Sequence, residues 1–594
     1  MVVRLLVALA SLAVAWLGFF FYRDNFSTHY GAKAVSATAF RSGEIPWWNF
    51  HAPGGQPLAG NSNLLTFYPD NVLYLFLPAH VAFNLHFLLH LIAGFYLMRA
   101  LCRARGVSER AANFAATMYV LSGVVVSATA FYNLVTAVAL LPLALLAIER
   151  KSWQLLGLAF GLMLLAAEPV TLIGAAILCA GRTLLSLRAI VAAALIAAPQ
   201  LIAYSEIAAE VERAVGFSAR TVLTTSLTPL RVAELFLWPF SGFLNDASAP
   251  RLFSTLFLGI IALPALFRRS RYAAAAVVLL LLAIGSYNPL VRVAVEQFAS
   301  VRILRFPEKF ALPLTAALVV LIALFFERTR YKRVWMAVTL VPLLWTTYRA
   351  LPLDWFTPYD VPRVEAPGRM QLMTANMAGL PAREEYRRRA ERYEPLFGAA
   401  AGVRYAIGRS SDNMHSLRSR IVAERFAAVP LDLKRRYVQV ATSPPFLVPR
   451  TVAAQDMVPA FERSTEHVAP RAFTSAPGRV VAYREVGQTI EVDVEASGPV
   501  LLFVNQSYFK AWVARANAQE LETLPVDIDR LGVVVPGTAR VTLTFGRRRG
   551  LIVAAWVVSL LVMVALGVSG RTDRTNRTDG TDRTDGTPAE PFVL

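Results

Sequence analysis

The sequence predicts a polytopic α-helical membrane protein with a multi-span core and an external C-terminal domain containing β structure. Three observations predict it. The chain is 56% hydrophobic and only 17% charged, with mean hydropathy +0.48, more apolar than ordinary soluble domains. Several apolar runs approach bilayer length, and short basic clusters separate them: ERK at 149–151, RRSR at 268–271 and ERTRYKR at 327–333. Residues 351–549 contain no such run and end in alternating segments, TIEVDVEA (489–496), VLLFVN (500–505) and ARVTLTF (539–545), which read as strands.

The formal net charge of +19 comes from those clusters. Their position between apolar runs fits the positive-inside rule. No zinc-finger or base-stacking pattern accompanies them, so nucleic acid is excluded as a partner. The two cysteines, Cys102 and Cys179, fall at predicted cytoplasmic helix ends, which argues against a disulfide framework.

The chain opens on MVVRLLVALASLAVAWLGFFFY. This run stays bulky to Tyr22 without a small-x-small cleavage site, so it reads as a retained first span that starts in the cytoplasm. The first external loop is then 23–72. Spans follow at about 73–98, 111–130 and 134–148, the last two joined by a tight external turn at Tyr132-Asn133. Two short segments at about 152–167 and 170–181 meet at Glu168-Pro169, and broken segments of this kind commonly line a cavity. Further spans are expected at about 189–205, 251–267, 272–285, 310–326 and 334–350, with external loops at 206–250 and 285–307.

The membrane core is therefore 1–350 and the external domain 351–549, with Arg- and Glu-rich, helical sequence at 366–425. A last span covers 550–568. About twelve spans place both termini inside and every basic cluster in the cytoplasm. The tail 569–594, with its Arg-Thr-Asp-Gly near-repeat, has no apolar residue to bury over most of its length and reads as disordered.

Candidate chemistry lies on the external side. Asp24 follows the first span directly, in FYRDNFSTHY. A carboxylate at the lipid edge either pairs with Arg23 or serves a membrane cavity, as a general base or as a ligand for a divalent ion. His29, five residues on, offers a second polar contact. The stretch GEIPWWNFHAPGGQPLAGNSNLLTFYP (43–69) holds Pro46, Pro53, Pro57 and Gly54-Gly55, which forbid regular helix. Its Trp47 and Trp48 are natural interface anchors. Its Asn49, His51, Gln56, Asn61 and Asn63 supply neutral hydrogen bonds of the kind that hold sugar hydroxyls. Glu168 beside Pro169 should face a cavity or a basic partner. Arg305, Glu308 and Lys309, in ILRFPEKF, stand where a span begins and could hold a lipid phosphate or pair among themselves.

Several of these stretches resemble the bacterial YfhO-like membrane proteins, a branch related to the GT-C glycosyltransferases. FRSGEIPWWNFHAPGGQPLAGNSNLLTFYP is similar to that family's first-loop pattern. APQLIAYSE (198–206), PLRVAELFLWPFSGF, IGSYNPL (284–290) and LRFPEKF (304–310) resemble its middle. LLFVNQSYFKAWVA (501–514) and GVVVPGTARVTLTF (532–545) resemble its β domain, although Lys510-Ala511-Trp512 stands where the family usually has Gly-Trp. The resemblance spans about residues 20 to 568. It implies a GT-C-like core of about twelve spans in the bacterial inner membrane, and Asp24 at the position of the first-loop catalytic acid.

The expected function is a membrane glycosyltransferase moving a sugar from a polyprenyl-phosphate donor to an envelope lipid or glycan acceptor on the external face. A polar-lipid transporter or flippase and a non-catalytic envelope assembly protein are the alternatives. No cofactor is certain. A divalent metal at Asp24 stays open, because Glu44 and Asp70 are the other first-loop carboxylates and neither is close to Asp24 in sequence.

Overall fold

A computed structural model describes residues 23–52, 54–180, 186–237, 251–350, 416, 472–475, 477–526 and 529–578. The expected first span at 1–22 and the helical part at 366–425, Ser416 apart, lie outside the described residues.

Small hydroxyls start several of the helices. Ser108, Ser122, Ser152, Ser186 and Ser270 each cap a helix by accepting a backbone N–H from three residues on. Among the described residues, four helices are long and apolar enough to cross a membrane: Ala79–Ala104, Leu187–Ser205, Pro307–Arg328 and Arg549–Val568. Thr136–Glu149, Trp153–Leu165, Pro169–Cys179 and Arg271–Ala283 are apolar but shorter. Ala79–Ala104 packs on Thr136–Glu149 and Glu109–Leu121, and Leu187–Ser205 packs on Trp153–Leu165. At one end of this bundle Arg105, Arg271 and the Tyr272 hydroxyl converge on Glu149, so the basic clusters gather there.

The helix Lys332–Ala350, expected as a span at 334–350, is not among the four long, apolar helices, and three further spans differ in course from expectation. The segment expected at 73–98 makes one turn at Leu73–Phe76, and its long helix starts only at Ala79, after Pro78. The segment at 111–130 breaks at Ser122, whose extended backbone separates Glu109–Leu121 from Gly123–Ala128. The segment at 251–267 is no span. It runs extended and buried until the short helix Ala262–Leu266. Non-helical backbone survives at such depth only if protein satisfies its polar groups. Here Glu308 accepts the N–H groups of Leu252 (2.7 Å) and Phe253 (3.2 Å), and Glu234 accepts that of Leu256 (2.9 Å). Gly123 donates to Phe257 O at 2.7 Å; a Cβ on it would stand 2.7 Å from the Phe257 nitrogen, so only glycine fits.

The C-terminal strands form two antiparallel sheets, β3-β6-β10-β9 and β4-β5-β11-β7-β8. They comprise β3 Ala472–Thr474, β4 Gly478–Val486, β5 Thr489–Ala496, β6 Val500–Ser507, β7 Trp512–Ala516, β8 Gln519–Leu521, β9 Thr523–Val526, β10 Arg530–Val535 and β11 Ala539–Phe545. The alternation seen in the sequence is real: Ile490, Val492 and Val494 of β5 point inward with Val541 and Leu543 of β11. β11 leads straight into the helix Arg549–Thr578, which runs past the expected end of the last span at 568. That helix lies along Leu187–Ser205, where Ser559 Oγ donates to Ile196 O at 2.8 Å. Residues 579–594 of the tail lie outside the described residues.

The first loop docks on this sandwich. Its β1 (Trp48–Asn49) and β2 (Gln56–Pro57) pair antiparallel. Trp48 is fully buried, against Trp512, Phe509 and Phe545 with ring centroids 4.9, 5.8 and 4.5 Å away. Its indole N–H donates to Gln506 Oε1 (3.0 Å). The backbone N–H groups of Trp47 and Trp48 both donate to Gln488 Oε1 at 2.8 Å, and the Gln488 N–H donates to Glu44 at 2.9 Å. Ser507 N–H donates to Gly54 O. Gly55 has φ +82°, and a side chain there would collide with the Trp48 indole and Gln506. The two tryptophans are thus joints to the sandwich and not lipid-interface anchors: they are buried where a belt residue keeps one edge wet.

Candidate functional site

A cavity of about 710 Å³ opens between the start of the first loop, the Glu168-Pro169 break and the segment before Pro307. Asp24, Thr28 and His29 reach it from the first loop. Asp24 directly precedes a π-helical turn, Asn25–His29, closed by Tyr30 N–H on Asn25 O. The i to i+5 bonding of such a turn brings residues five apart onto one side, so Asp24 and His29 face the same space. Two contacts pin this turn: Asn25 Nδ2 donates to Thr129 O (2.7 Å) and Arg23 Nη1 to Leu252 O (2.6 Å). Arg23 also lies over the Phe131 ring, 5.2 Å from its centroid.

Across the cavity stand Arg213, Arg302, Arg305, Glu168 and Lys309. Glu168 is buried at the helix break, after Ala167 with φ +54°. It takes Lys309 Nζ on both oxygens, at 2.8 and 2.9 Å, and Asn133 Nδ2 at 2.7 Å. That matches what a buried carboxylate beside freed backbone needs: a cation and a further donor. Lys309 is therefore largely neutralised. Arg305 lies against Phe217 and Phe306, 4.6 and 4.2 Å from their ring centroids. Its guanidinium lies among these rings at the cavity lining. Basic side chains outnumber carboxylates four to two in the lining, and Phe131, Met163, Leu164, Leu172 and Leu201 supply an apolar wall.

Of the residues proposed from sequence, the structure brings Asp24, His29, Asn63, Glu168, Arg305 and Lys309 to this one cavity. It places five elsewhere. Asn49 is buried in the β1–β2 hairpin, where its Oδ1 accepts His51 N–H at 3.0 Å, and His51 belongs to that same turn. Gln56 is buried opposite Asn49. Asn61 is fully buried and caps the turn Ser62–Leu64 through Asn63 N–H (3.1 Å). Asn49 and Asn61 satisfy N–H groups of the irregular backbone that prolines and glycines impose, and none of these four residues lines the cavity. Glu308 pairs with buried Arg231 (2.9 Å) and holds the 251–253 segment, and it does not line the cavity.

Sequence reading missed Arg302, Asn133 and Gln200 in the lining. Gln200 Nε2 donates to Ala59 O at 3.1 Å and so ties the first loop to the Leu187–Ser205 helix. A glutamine after a proline inside an apolar helix was its signal. Asn133 had one too, as the polar residue of a turn between two apolar segments.

Behind His29 lies a second buried polar group. The His29 ring is 6.0 Å from Tyr132, and Tyr132 stacks on His86 at 3.8 Å. Lys33, fully buried, donates to Asn71 Oδ1 (2.7 Å); burial lowers its ammonium to about 7, against the opposing pull of the Asp70 carboxylate. Neither Glu44 nor Asp70 lines the cavity, since Glu44 faces Gln488 and Asp70 faces His86.

No protein-family profile matches the chain. No curated protein matches it either. Among solved structures, it is similar to the arabinofuranosyltransferase AftD from mycobacteria, at 18% identity and TM-score 0.43 over 92% of this chain and 40% of AftD. A mutant form of AftD gives 16% and 0.42, over 86% of this chain and 43% of that one. ArnT from Cupriavidus metallidurans, solved with undecaprenyl phosphate bound, gives 13% and 0.37, over 89% of this chain and 97% of ArnT. The chain thus spans less than half the length of AftD.

Proposed function

We propose that the protein is a membrane glycosyltransferase that moves a sugar from a polyprenyl-phosphate donor to an envelope lipid or glycan on the external face. The observation that carries this reading is the shared cavity: a carboxylate, Asp24, on one side and the Arg213, Arg302 and Arg305 guanidinium groups on another, with an apolar wall between helices. The resemblance of LRFPEKF (304–310), which carries the cavity residues Arg305 and Lys309, to YfhO-like proteins supports the same reading.

The arrangement suits attack at an anomeric carbon. Asp24 accepts the proton of the acceptor hydroxyl as its oxygen bonds to the sugar carbon. The bond from that carbon to the phosphate oxygen breaks, and polyprenyl phosphate leaves with the electron pair. The guanidinium groups stabilise the negative charge as it develops, which is worth most in a cavity shielded from water. Glu168 keeps Lys309 in place and limits the net positive charge, so that the product phosphate can depart.

The test is transfer by the full-length protein in proteoliposomes, with a panel of polyprenyl-phosphate sugars and membrane extract as acceptor. Wild type should release polyprenyl phosphate and label an acceptor; Asp24→Asn should lose about 10²–10⁴-fold of that rate. Equal transfer by both removes Asp24 as base. Movement of intact donor across the bilayer without cleavage contradicts the transferase and supports a transporter.

A further inference from the structure

The second polar group, behind the cavity, has the chemistry of a metal site. His86 and His90 lie four residues apart in the Ala79–Ala104 helix, so both rings share one face, with centroids 4.5 Å apart. Asp70 reaches them from the turn Pro69–Val72 that ends the first loop. One ligand atom from each of Asp70, His86 and His90 lies within 4.8 Å of the others; among the described residues no other His, Cys, Asp or Glu cluster does this.

Proton positions follow from the partners. His86 Nε2 is 2.7 Å from Tyr132 O, and His90 Nδ1 is 2.7 Å from His86 O. A backbone carbonyl only accepts, so both nitrogens carry hydrogen. The remaining nitrogens, His86 Nδ1 and His90 Nε2, turn toward Asp70 and the Tyr68 hydroxyl. This is how metal-binding histidines are held: one nitrogen donates to a carbonyl, which fixes the ring, and the other is presented to the ion. Asp70 Oδ1 is buried and has no hydrogen-bond partner. A buried carboxylate oxygen left this way costs free energy that a cation would recover.

We propose that Asp70 Oδ, His86 Nδ1 and His90 Nε2 bind a divalent transition ion of the zinc type. Two imidazoles and one carboxylate suit Zn²⁺ or Co²⁺ rather than Mg²⁺ or Ca²⁺, which prefer oxygen-only ligand sets. Three protein ligands leave a fourth position, beside the Tyr68 hydroxyl. Binding replaces the hydrogen bond between His86 Nδ1 and Asp70 Oδ2 with bonds from both atoms to the ion. Lys33, the buried cation of this region, directs its ammonium to Asn71 Oδ1 and the Tyr132 face, 4.9 Å from that ring centroid. The ion would staple the end of the first loop to the Ala79–Ala104 helix. It would also fix Tyr132, which stacks on His86 and precedes the cavity residue Asn133. This assignment is independent of the transfer reaction and places the metal away from Asp24.

The experiment uses the full-length protein in detergent, purified without chelator. Elemental analysis should find about one zinc-type ion per chain. After chelation, added Co²⁺ should give the visible absorption of a low-coordinate nitrogen and oxygen site, and the chelated protein should melt at lower temperature. His90→Gln should lose at least about tenfold in Co²⁺ affinity, and chelator should no longer shift its melting. His80→Gln, at a histidine of the same helix outside the cluster, should keep both. Should His90→Gln fail to fold, Asp70→Asn carries the same expectation. Wild type that takes up neither Zn²⁺ nor Co²⁺ and melts alike with and without chelator overturns the proposal. So does full Co²⁺ absorption in both variants, and the Asp70–His86 contact is then an ion pair alone.

Discussion

The loop–sandwich joint and the cavity are both rich in buried polar side chains, yet they are built differently. In the joint, polar groups meet within the protein: Gln488 takes two tryptophan N–H groups, Glu44 takes the Gln488 N–H, and Gln506 takes the Trp48 indole. Aromatic rings fill the rest. In the cavity, charged groups from distant parts of the chain line one open volume, with cations in excess. The first arrangement has the economy of a core; the second keeps room for a ligand. Polar density in sequence does not separate them. Convergence on a space does.

The comparison can be broken by exchanging what is damaged. Asp24→Asn should remove transfer almost wholly, by about 10²–10⁴-fold, with thermal melting close to wild type; a large melting shift would make Asp24 part of the framework. Trp48→Ala should do the reverse. Emptying its site at the joint should cost about 3–5 kcal/mol of stability, read by denaturant unfolding of the sandwich fluorescence, with residual activity in the molecules that stay folded. Glu168→Gln lies between. It leaves Lys309 without its carboxylate, which should cost about 1.5–3 kcal/mol and tighten donor binding, measured by donor titration and melting together. The smallest contrast is between two asparagines of one loop. Asn63→Ala should raise the donor KM by about fivefold, the worth of roughly one hydrogen bond, while Asn49→Ala should leave KM unchanged and lower only stability. Equal KM effects would erase the distinction between joint and cavity.

Much of the core was legible because its signals are local. Basic clusters between apolar runs mark where helices end and begin, and β5 and β11 alternate as their burial does. Asp24, Glu168 and Lys309 were legible as charges that lipid would not tolerate without a reason. What failed was long-range. The segment 251–267 is apolar enough to read as a span, but its backbone is satisfied by Glu308, Glu234 and Ser127 from elsewhere in the chain. Trp48 looked like an interface anchor because nothing near it in sequence reveals Trp512 or Phe545. Two of the segments that carry the resemblance, WWN in the loop and FKAW at the start of β7, meet at this joint. Their shared pattern is explained by packing, so it speaks less for catalysis than the sequence suggested. Asn61 and Asn63 show the limit most sharply. They are two residues apart, and turn geometry alone sends one into the core and the other to the cavity.

Asp24 and Arg305 serve one transfer in different roles, Asp24 as the base for the acceptor hydroxyl and Arg305 as a holder of the donor phosphate. The direct measurement is donor binding and single-turnover transfer for wild type, Asp24→Asn and Arg305→Ala in the same proteoliposomes. The account expects Asp24→Asn to bind the polyprenyl-phosphate sugar as wild type does and fail to turn it over. It expects Arg305→Ala to lose binding by about tenfold or more, the worth of a charge-assisted contact to phosphate. Wild-type turnover by Asp24→Asn, or undiminished donor binding by Arg305→Ala, would contradict it.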